Sequence, residues 1–324
     1  MPILRFLLLV FASLLSSTAN AADFNGYVIE TMRFLHDTRG GGGYDLQSYF
    51  TQDLKYGDNC CTAHDNCCVK ANHPHKSMCV AAVAEVIIEA INRYAERTED
   101  RSVYTKLPAR SWTHGTIRDI RAWIFEYSET PSQGAAHAIE VFGLGKRLKF
   151  TELKPGDLIK IDRTDGTGHS MFFLGYLDRS AKLLDQYDEQ KVAGFKYFSA
   201  QGRSRPESGF GYMYGFFDGF CPSDQEMEDP KDGKLGRDCK IKRSSAVGGR
   251  IFAPAEWTTE ASLKKIEADA IVGLYEQSLG RVMTKRERSL VRRPVNIELM
   301  RKLLEKELDR ELTPSDLSRY TDMN

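Results

Sequence analysis

Apolar positions recur at helical spacing near the start of the chain and again after residue 78. Residues 23–38 place Val28, Met32 and Leu35 on one side, which predicts an amphipathic helix. The first turns of the segment from Cys79 to about Arg97 are apolar on nearly all sides, so a second helix is expected to be buried there.

Polar residues at intervals of four suggest which side of this second helix faces solvent. Glu85, Glu89 and Arg93 share one side, and they are expected to mark the exposed face. Two further helices are predicted over residues 116–127 and 132–142, the second of which ends at the glycines that follow it.

Short apolar runs bounded by turn residues follow the helices, which is typical of β-strands. They cover residues 158–161, 171–176, 193–198 and 212–217. Helices that precede an antiparallel set of strands indicate an α+β fold, with a helix that begins at Cys79 packed on a small antiparallel sheet.

The composition changes after Cys221, and this change suggests how the chain is divided. We expect one globular domain over residues 22–225. Residues 226–257 are polar and rich in Gly, Lys and Asp, which predicts a linker. Residues 258–324 return to helical periodicity and are expected to form a helical C-terminal region.

The N-terminus carries the pattern of a secretory signal peptide. Arg5 precedes an apolar stretch, and Ala19-Asn20-Ala21 is a small-residue cleavage signal, so residues 1–21 are expected to be removed. No later segment is expected to span a membrane. The mature protein is therefore expected to be secreted or periplasmic.

Charge balance adds one further observation. The chain has 45 Lys and Arg and 45 Asp and Glu, but residues 231–324 hold 20 basic against 15 acidic side chains. A contact between this basic region and an anionic surface is one interpretation, and a solvated helix face is the other. Nothing resembles a nucleotide- or nucleic-acid-binding motif, so no nucleic-acid partner is expected.

The chain contains seven cysteines, and in an exported protein most cysteines are expected to pair. Four of them cluster in a predicted loop over residues 57–78: Cys60, Cys61, Cys67 and Cys68. Cys221 and Cys239 flank a polar segment and form the simplest disulfide. If Cys79 is free, the other six cysteines can form three bridges.

Cys79 and His169 have the residue types and the setting of a catalytic pair. A thiol at a helix N-terminus lies where the helix dipole favours the thiolate. Gly168-His169-Ser170 opens a predicted strand, from which an imidazole can accept the thiol proton. These are the minimum requirements of a cysteine hydrolase.

The order of these elements resembles the NlpC-type and CHAP-type cell-wall peptidases, which are compact relatives of papain. The resemblance covers roughly residues 75–217, with Lys154-Pro155-Gly156-Asp157 as the turn before the histidine strand. It implies a papain-like fold in which Cys79 is the nucleophile and His169 the base. It also implies a peptidoglycan stem peptide, or its amide link to the glycan, as substrate, with no cofactor and no metal.

A third catalytic residue is expected to orient the imidazole. Gln201 shares a strand face with Ser199, and its amide oxygen could accept the imidazole N–H, so Gln201 is favoured. Asp185 and Asp188 are nearer to His169 in sequence and stay as alternatives.

A second, shorter resemblance lies in the cysteine-rich loop. The segment from Asp58 to Cys67 is similar to the active-site helix of secreted phospholipases A-two. That resemblance implies His64 as the base and Asp65 as a calcium ligand, with Gly40–Gly43 as the calcium loop. The alternative function is therefore a calcium-dependent lipase.

Two other interpretations of the loop and of the whole chain stay open. The paired cysteines with His64, His73 and His75 could hold zinc, although disulfides are favoured in an oxidising compartment. A catalytically inactive protein that binds the cell envelope is the non-enzymatic alternative.

Overall fold

A computed structural model describes most of the chain between residues 24 and 284. The described ranges are 24–57, 68–112, 134–202, 208–223, 225–227, 236–278 and 282–284, with the single residues Ile120, Lys302 and Glu305. The predicted signal peptide, most of the predicted helix 116–127, the segment with His64 and Asp65, and most of the basic C-terminal region lie outside them. Every helix among the described residues is too short or too polar to cross a bilayer.

The helices follow the periodicity of the sequence closely. Their bounds are α1 Phe24–Arg39, α2 Cys79–Thr98, α3 Val103–Lys106, α4 Gly134–Val141 and α5 Thr259–Ser278. Helix α2 ends where Glu99 adopts a left-handed conformation, with φ 58°. The two long N-terminal helices pack against each other and against the sheet, and α2 lies on the two strands that run through the middle of the sheet.

The strands form one large sheet and a separate small pair. The small pair joins β1 (Leu54–Lys55) and β2 (Cys68–Val69). The large sheet comprises β3 Gly145–Lys149, β4 Leu158–Asp162, β5 Gly168–Leu177, β6 Leu183–Leu184, β7 Gly194–Gln201, β8 Gly209–Phe217, β9 Gly236–Ile241 and β10 Val247–Ile251. Its order is β3-β10-β4-β5-β7-β8-β9, with β6 paired to β5.

All neighbours in the large sheet are antiparallel except β8 and β9, which are parallel. The expected mixture of helices and an antiparallel sheet is therefore confirmed in part: the sheet is mostly antiparallel, but with eight strands among the described residues it is not the small sheet that was expected. The sheet also curves, because the backbone of Arg163 at the end of β4 bridges to Ile241 at the end of β9. This bridge joins the ends of β4 and β9, which are separated by three other strands in the order of the sheet.

Strands β9 and β10 lie within residues 226–257, the predicted linker. The difference has a physical reason in two glycines of β10. A Cβ atom at Gly249 would lie 2.7 Å from Ile139 Cδ1 of α4, and one at Gly248 would lie 2.2 Å from Leu153 Cδ2. Glycine allows α4 and Leu153 to approach the strand closely, but it removes the apolar side chains that identify a strand in sequence.

Two apolar cores lie on opposite faces of the sheet because side chains alternate along each strand. On β5, Phe172 belongs to the core shared with α1 and α2, whereas Met171 and Phe173 belong to the second core. Phe198 and Tyr197 of β7 divide in the same way. The second core is strongly aromatic and is enclosed by the curvature of the sheet.

Glu85 differs from the expected exposed face of α2, because it is fully buried. The backbone N–H of Thr51 donates to its carboxylate at 2.9 Å, and the Thr51 hydroxyl donates at 2.6 Å. The segment around Thr51 covers this side of α2, and periodicity within α2 alone cannot indicate such a cover. Burial raises the pKa of Glu85 from 4.5 to about 7, although the Thr51 donors oppose the shift.

A buried carboxylate also joins the helical layer to the sheet. Asp157, fully buried in the Pro-Gly-Asp turn before β4, accepts hydrogen bonds from Asn25 Nδ2 at 2.8 Å and from the Lys154 N–H at 2.7 Å. Arg250 of β10 donates through Nε at 2.9 Å and Nη2 at 2.6 Å. Gly156 has φ +91°, and a Cβ there would lie 2.8 Å from Asn25 Cβ. One side chain thus connects α1, the turn and β10.

Replacing Glu85 with Gln is expected to remove a pH dependence of stability. Because the folded-state pKa is raised from 4.5 to about 7, the native state binds the proton more tightly, and the free energy of unfolding falls as pH rises through this window. The fall is about 3 kcal/mol. Urea unfolding across the window should show the slope in the wild type and its loss in Glu85→Gln. Glu96→Gln, an exposed control on the same helix, should keep it.

Asp157→Asn is expected to destabilise the protein by about 3 to 5 kcal/mol, because it leaves the Arg250 guanidinium without its buried carboxylate. Urea unfolding at neutral pH measures the change. Asp37→Asn, whose side chain is 76% exposed, is the surface control and should stay within about 0.5 kcal/mol of the wild type. Equal stability of both variants would contradict the role given to Asp157.

Candidate active site

Cys79 is the first residue of α2, and three hydrogen-bond donors surround its sulfur. They are the backbone N–H groups of Val80 and Ser170 and the hydroxyl of Tyr44. Of the cysteine side chains that the structure describes, Cys79 is the free one, and it is 7% exposed. Ser170 directly follows His169 on β5, so the sulfur lies against the strand that carries the predicted base.

Burial and the local donors act on this thiol in opposite directions. Burial has the larger effect and raises the pKa of Cys79 above its usual range. The three donors and the positive charge of Arg163 favour the thiolate and lower the pKa. The resting thiol is therefore protonated at neutral pH, but the groups that would stabilise its thiolate are already in place.

His169 is the second residue of β5 and pairs with Ile161 of the neighbouring strand β4. It is 6% exposed, and its ring meets the ring of Tyr197 edge-on, with centroids 5.7 Å apart. Side chains alternate along the strand, so His169 and Ser170 project from opposite faces. The imidazole therefore lies on the face of Tyr197, which belongs to the second core, whereas Cys79 belongs to the first core, on the face covered by α2.

A cleft of about 440 Å³ opens beside His169. Its lining includes the predicted residues His169 and Gln201 together with Tyr44, Tyr197, Arg163 and Asp238. Tyr44 contributes to the wall and also donates to the Cys79 sulfur. It therefore connects the buried thiol with the cleft in which His169 lies.

Gln201, the favoured third residue, lies at the end of β7 in the same cleft. The register pairs Phe172 with Phe198, and continued by three positions it places Gln201 across from His169. The amide nitrogen of Gln201 donates to the carbonyls of Ser199 at 3.2 Å and Gly211 at 3.1 Å. The side chain is 2% exposed, so it is held firmly at the cleft wall.

The two alternatives for the third residue lie at the other end of β5. Asp185 follows β6, which pairs with Tyr176 and Leu177. Eight residues of extended strand separate this end from His169, a distance of about 27 Å. Asp188 is bound to Lys191, with the ammonium and carboxylate 3.1 Å apart. The structure brings Gln201, and neither aspartate, to His169.

The glycine run Gly40–Gly43 has a clear structural consequence, which is the placement of Tyr44. A Cβ at Gly42 would lie 2.2 Å from the His75 carbonyl oxygen, so the two backbones approach closely. Tyr44 then pairs with Ser77, two residues before Cys79. Residues Asp58–Cys67, on which the phospholipase and zinc interpretations depend, lie outside the described residues. Within the described part of the chain, no group of three His, Cys, Asp or Glu residues could hold a metal.

Several members of the cleft were not among the residues predicted from the sequence, and Tyr44, Arg163 and Asp238 are three of them. Arg163, which is partly exposed, forms an ion pair with the buried carboxylate of Asp238, with Nε to Oδ2 at 2.5 Å. Asp238 precedes Cys239, and the predicted disulfide between Cys221 and Cys239 is confirmed, with Cα atoms 5.3 Å apart. No local pattern marks these residues, because contacts between distant segments bring them to the cleft: Tyr44 through its pairing with Ser77, and Asp238 through the pairing of β9 with β8.

Alkylation of Cys79 by iodoacetamide is expected to be slow at neutral pH and to have a midpoint above the usual thiol pKa of about 8.5. Tyr44→Phe should raise this midpoint further, because it removes a donor to the thiolate. Mass spectrometry of the Cys79 peptide across a pH series measures both. Tyr187→Phe, which changes a tyrosine bound to Arg243 away from the cleft, is the control and should leave the midpoint unchanged. A midpoint below 8.5 in the wild type would contradict the assigned environment.

Comparisons of the chain with protein-family models, with curated proteins and with solved structures gave no match.

Proposed function

We propose that this protein is an exported, papain-like cysteine hydrolase that cleaves amide bonds in peptidoglycan. The observation that carries the proposal is the setting of Cys79. Cys79 is the first residue of a buried helix, and its sulfur accepts hydrogen bonds from three donors. One of these donors is the N–H of Ser170, which follows His169 on β5. An inert core thiol has no need of donors arranged to stabilise a negative sulfur.

The proposed reaction begins with transfer of the Cys79 proton to His169. The sulfur then forms a bond to the amide carbonyl carbon, and the carbonyl oxygen becomes an oxyanion. As the carbon–nitrogen bond breaks, His169 returns the proton to the leaving amine. Water next attacks the thioester with His169 as the base, which releases the carboxylic acid and restores the thiol.

Fixed N–H groups near Cys79 favour this reaction. The Val80 N–H belongs to the first turn of α2, and the first N–H groups of a helix have no partner within the helix. Donors held rigidly in a buried site can stabilise an oxyanion without reorganisation. Tyr44 and Gln201 complete the surroundings, Tyr44 as a donor to sulfur and Gln201 as the orienting residue beside His169.

The arrangement of the scaffold supports the papain-like part of the proposal. A cysteine-bearing helix packs on β5 and β7 of a mostly antiparallel sheet, and the Pro-Gly-Asp turn precedes the strand that pairs with the histidine strand. Asp157 anchors this turn through Arg250 and Asn25. These features match the order of elements on which the resemblance to cell-wall peptidases is based.

The charged cleft and the disulfide support the proposed substrate and location. Arg163, Asp238, Asp165 and Lys240 line the cleft, so it suits a peptide that carries charged groups rather than an acyl chain. The Cys221–Cys239 disulfide is stable in an oxidising compartment, in agreement with the signal peptide expected over residues 1–21.

Purified peptidoglycan sacculi provide the direct test. Cys79→Ala and His169→Ala are each expected to reduce the release of soluble fragments by about 10³-fold or more, because each removes a partner in covalent catalysis. His73→Ala, an exposed histidine in the loop before α2, is the matched control and should retain wild-type activity. Circular dichroism checks that each variant is folded.

Three outcomes would overturn the proposal. Full activity in Cys79→Ala removes the nucleophile. Wild-type protein that binds sacculi but releases nothing, and hydrolyses no other amide substrate, favours the envelope-binding alternative. Calcium-dependent release of fatty acid from phospholipid vesicles, lost in His64→Ala, favours the lipase.

A further inference from the structure

Arg163 lies in the turn between β4 and β5 and holds this turn through its guanidinium. Nη1 donates to Thr167 Oγ1 and to the Gly168 carbonyl, both at 3.3 Å. The backbone N–H of Arg163 donates to the Thr167 carbonyl at 2.7 Å. Thr167 and Gly168 are the two residues before His169. The guanidinium therefore fixes the backbone from which the imidazole projects.

Asp238 holds the same guanidinium from the opposite side. Its carboxylate is 2% exposed and accepts a hydrogen bond from Arg163 Nε at 2.5 Å. Asp238 lies on β9, and β9 also meets the β4–β5 turn through the backbone, where the Thr164 N–H donates to the Lys240 carbonyl at 2.8 Å. An ion pair that includes a buried carboxylate is costly to desolvate, and its best-attested use is to fix one arrangement rather than to add stability.

Arg163 also acts on the nucleophile through its charge. Burial, the largest influence, raises the pKa of Cys79, and the positive charge of Arg163 lowers it. Arg163 has the same effect on Tyr44, whose pKa is raised mainly by burial and next by the neighbouring Cys79. The guanidinium thus holds the backbone next to His169 by hydrogen bonds, and its positive charge acts on both the Cys79 sulfur and the Tyr44 hydroxyl.

We propose that Arg163, held in place by Asp238, is a positioning residue of the catalytic site: its fork of N–H groups aims His169, and its charge stabilises the Cys79 thiolate. This inference rests on the proposed function. Lysine in place of Arg163 would keep the charge but lose the planar fork, which allows the two roles to be separated.

The test uses two readouts on the full-length mature protein. The first is the pH midpoint of Cys79 alkylation by iodoacetamide, which needs no turnover. The second is kcat and KM for hydrolysis of soluble peptidoglycan fragments. The variants are Arg163→Gln, Arg163→Lys and Asp238→Asn. Arg147→Gln is the control, because Arg147 of β3 forms an exposed ion pair with Glu140 of α4, away from the cleft.

Arg163→Gln should raise the alkylation midpoint and reduce kcat by about 10-fold or more, with KM little changed. Arg163→Lys should keep the wild-type midpoint and still lose kcat, because it lacks the bonds to Thr167 and Gly168. Asp238→Asn should reduce kcat, and Arg147→Gln should leave both readouts at their wild-type values. If Asp238→Asn does not fold, the pair of Arg163 variants carries the test.

A midpoint that stays at the wild-type value in Arg163→Gln would overturn the electrostatic role. Wild-type kcat in Arg163→Lys would overturn the positioning role. These failures differ from failure of the proposed function, in which the wild-type protein hydrolyses no amide substrate while the alkylation midpoint still responds to Arg163.

Discussion

The described structure depends most on the buried carboxylate of Asp157. It accepts hydrogen bonds from α1 through Asn25, from its own turn through the Lys154 N–H, and from β10 through Arg250. A buried charge of this kind persists only when every partner is in place. Helix α1, the entry to β4 and strand β10 are thus fixed relative to one another, and β4 in turn sets the register of the strand that carries His169.

The site is assembled from segments that are far apart in sequence. Helix α2 provides the thiol, the segment after the glycine run provides Tyr44, and β5 and β7 provide His169 and Gln201. The last part comes from β9, whose Asp238 holds Arg163 at the opposite edge of the cleft. Each contribution depends on a backbone contact of its own: Tyr44 on its pairing with Ser77, and Asp238 on the parallel pairing of β9 with β8.

The sequence was sufficient for features encoded within one segment. The bounds of α1 and α2 and the central strands follow from periodicity, and the Cys221–Cys239 bridge follows from its position around a polar segment. Features that depend on a distant partner were not accessible. Glu85 has the spacing of an exposed residue and is buried only because Thr51 covers it. Strand β10 lacks an apolar pattern because Gly248 and Gly249 admit neighbouring side chains, and Arg163 and Asp238 become partners only when the sheet curves.

The disulfide between Cys221 and Cys239 has a consequence for the order in which the protein matures. It closes a loop with a sequence separation of 18 residues, which contributes about 3 kcal/mol by restricting the unfolded chain. In a reducing compartment this contribution is absent, and the edge strand β9 is retained only by its backbone pairing and side-chain contacts. Newly made, reduced chains are therefore less stable towards unfolding than oxidised ones, and the wall of the cleft that contains Asp238 is formed in a smaller fraction of them.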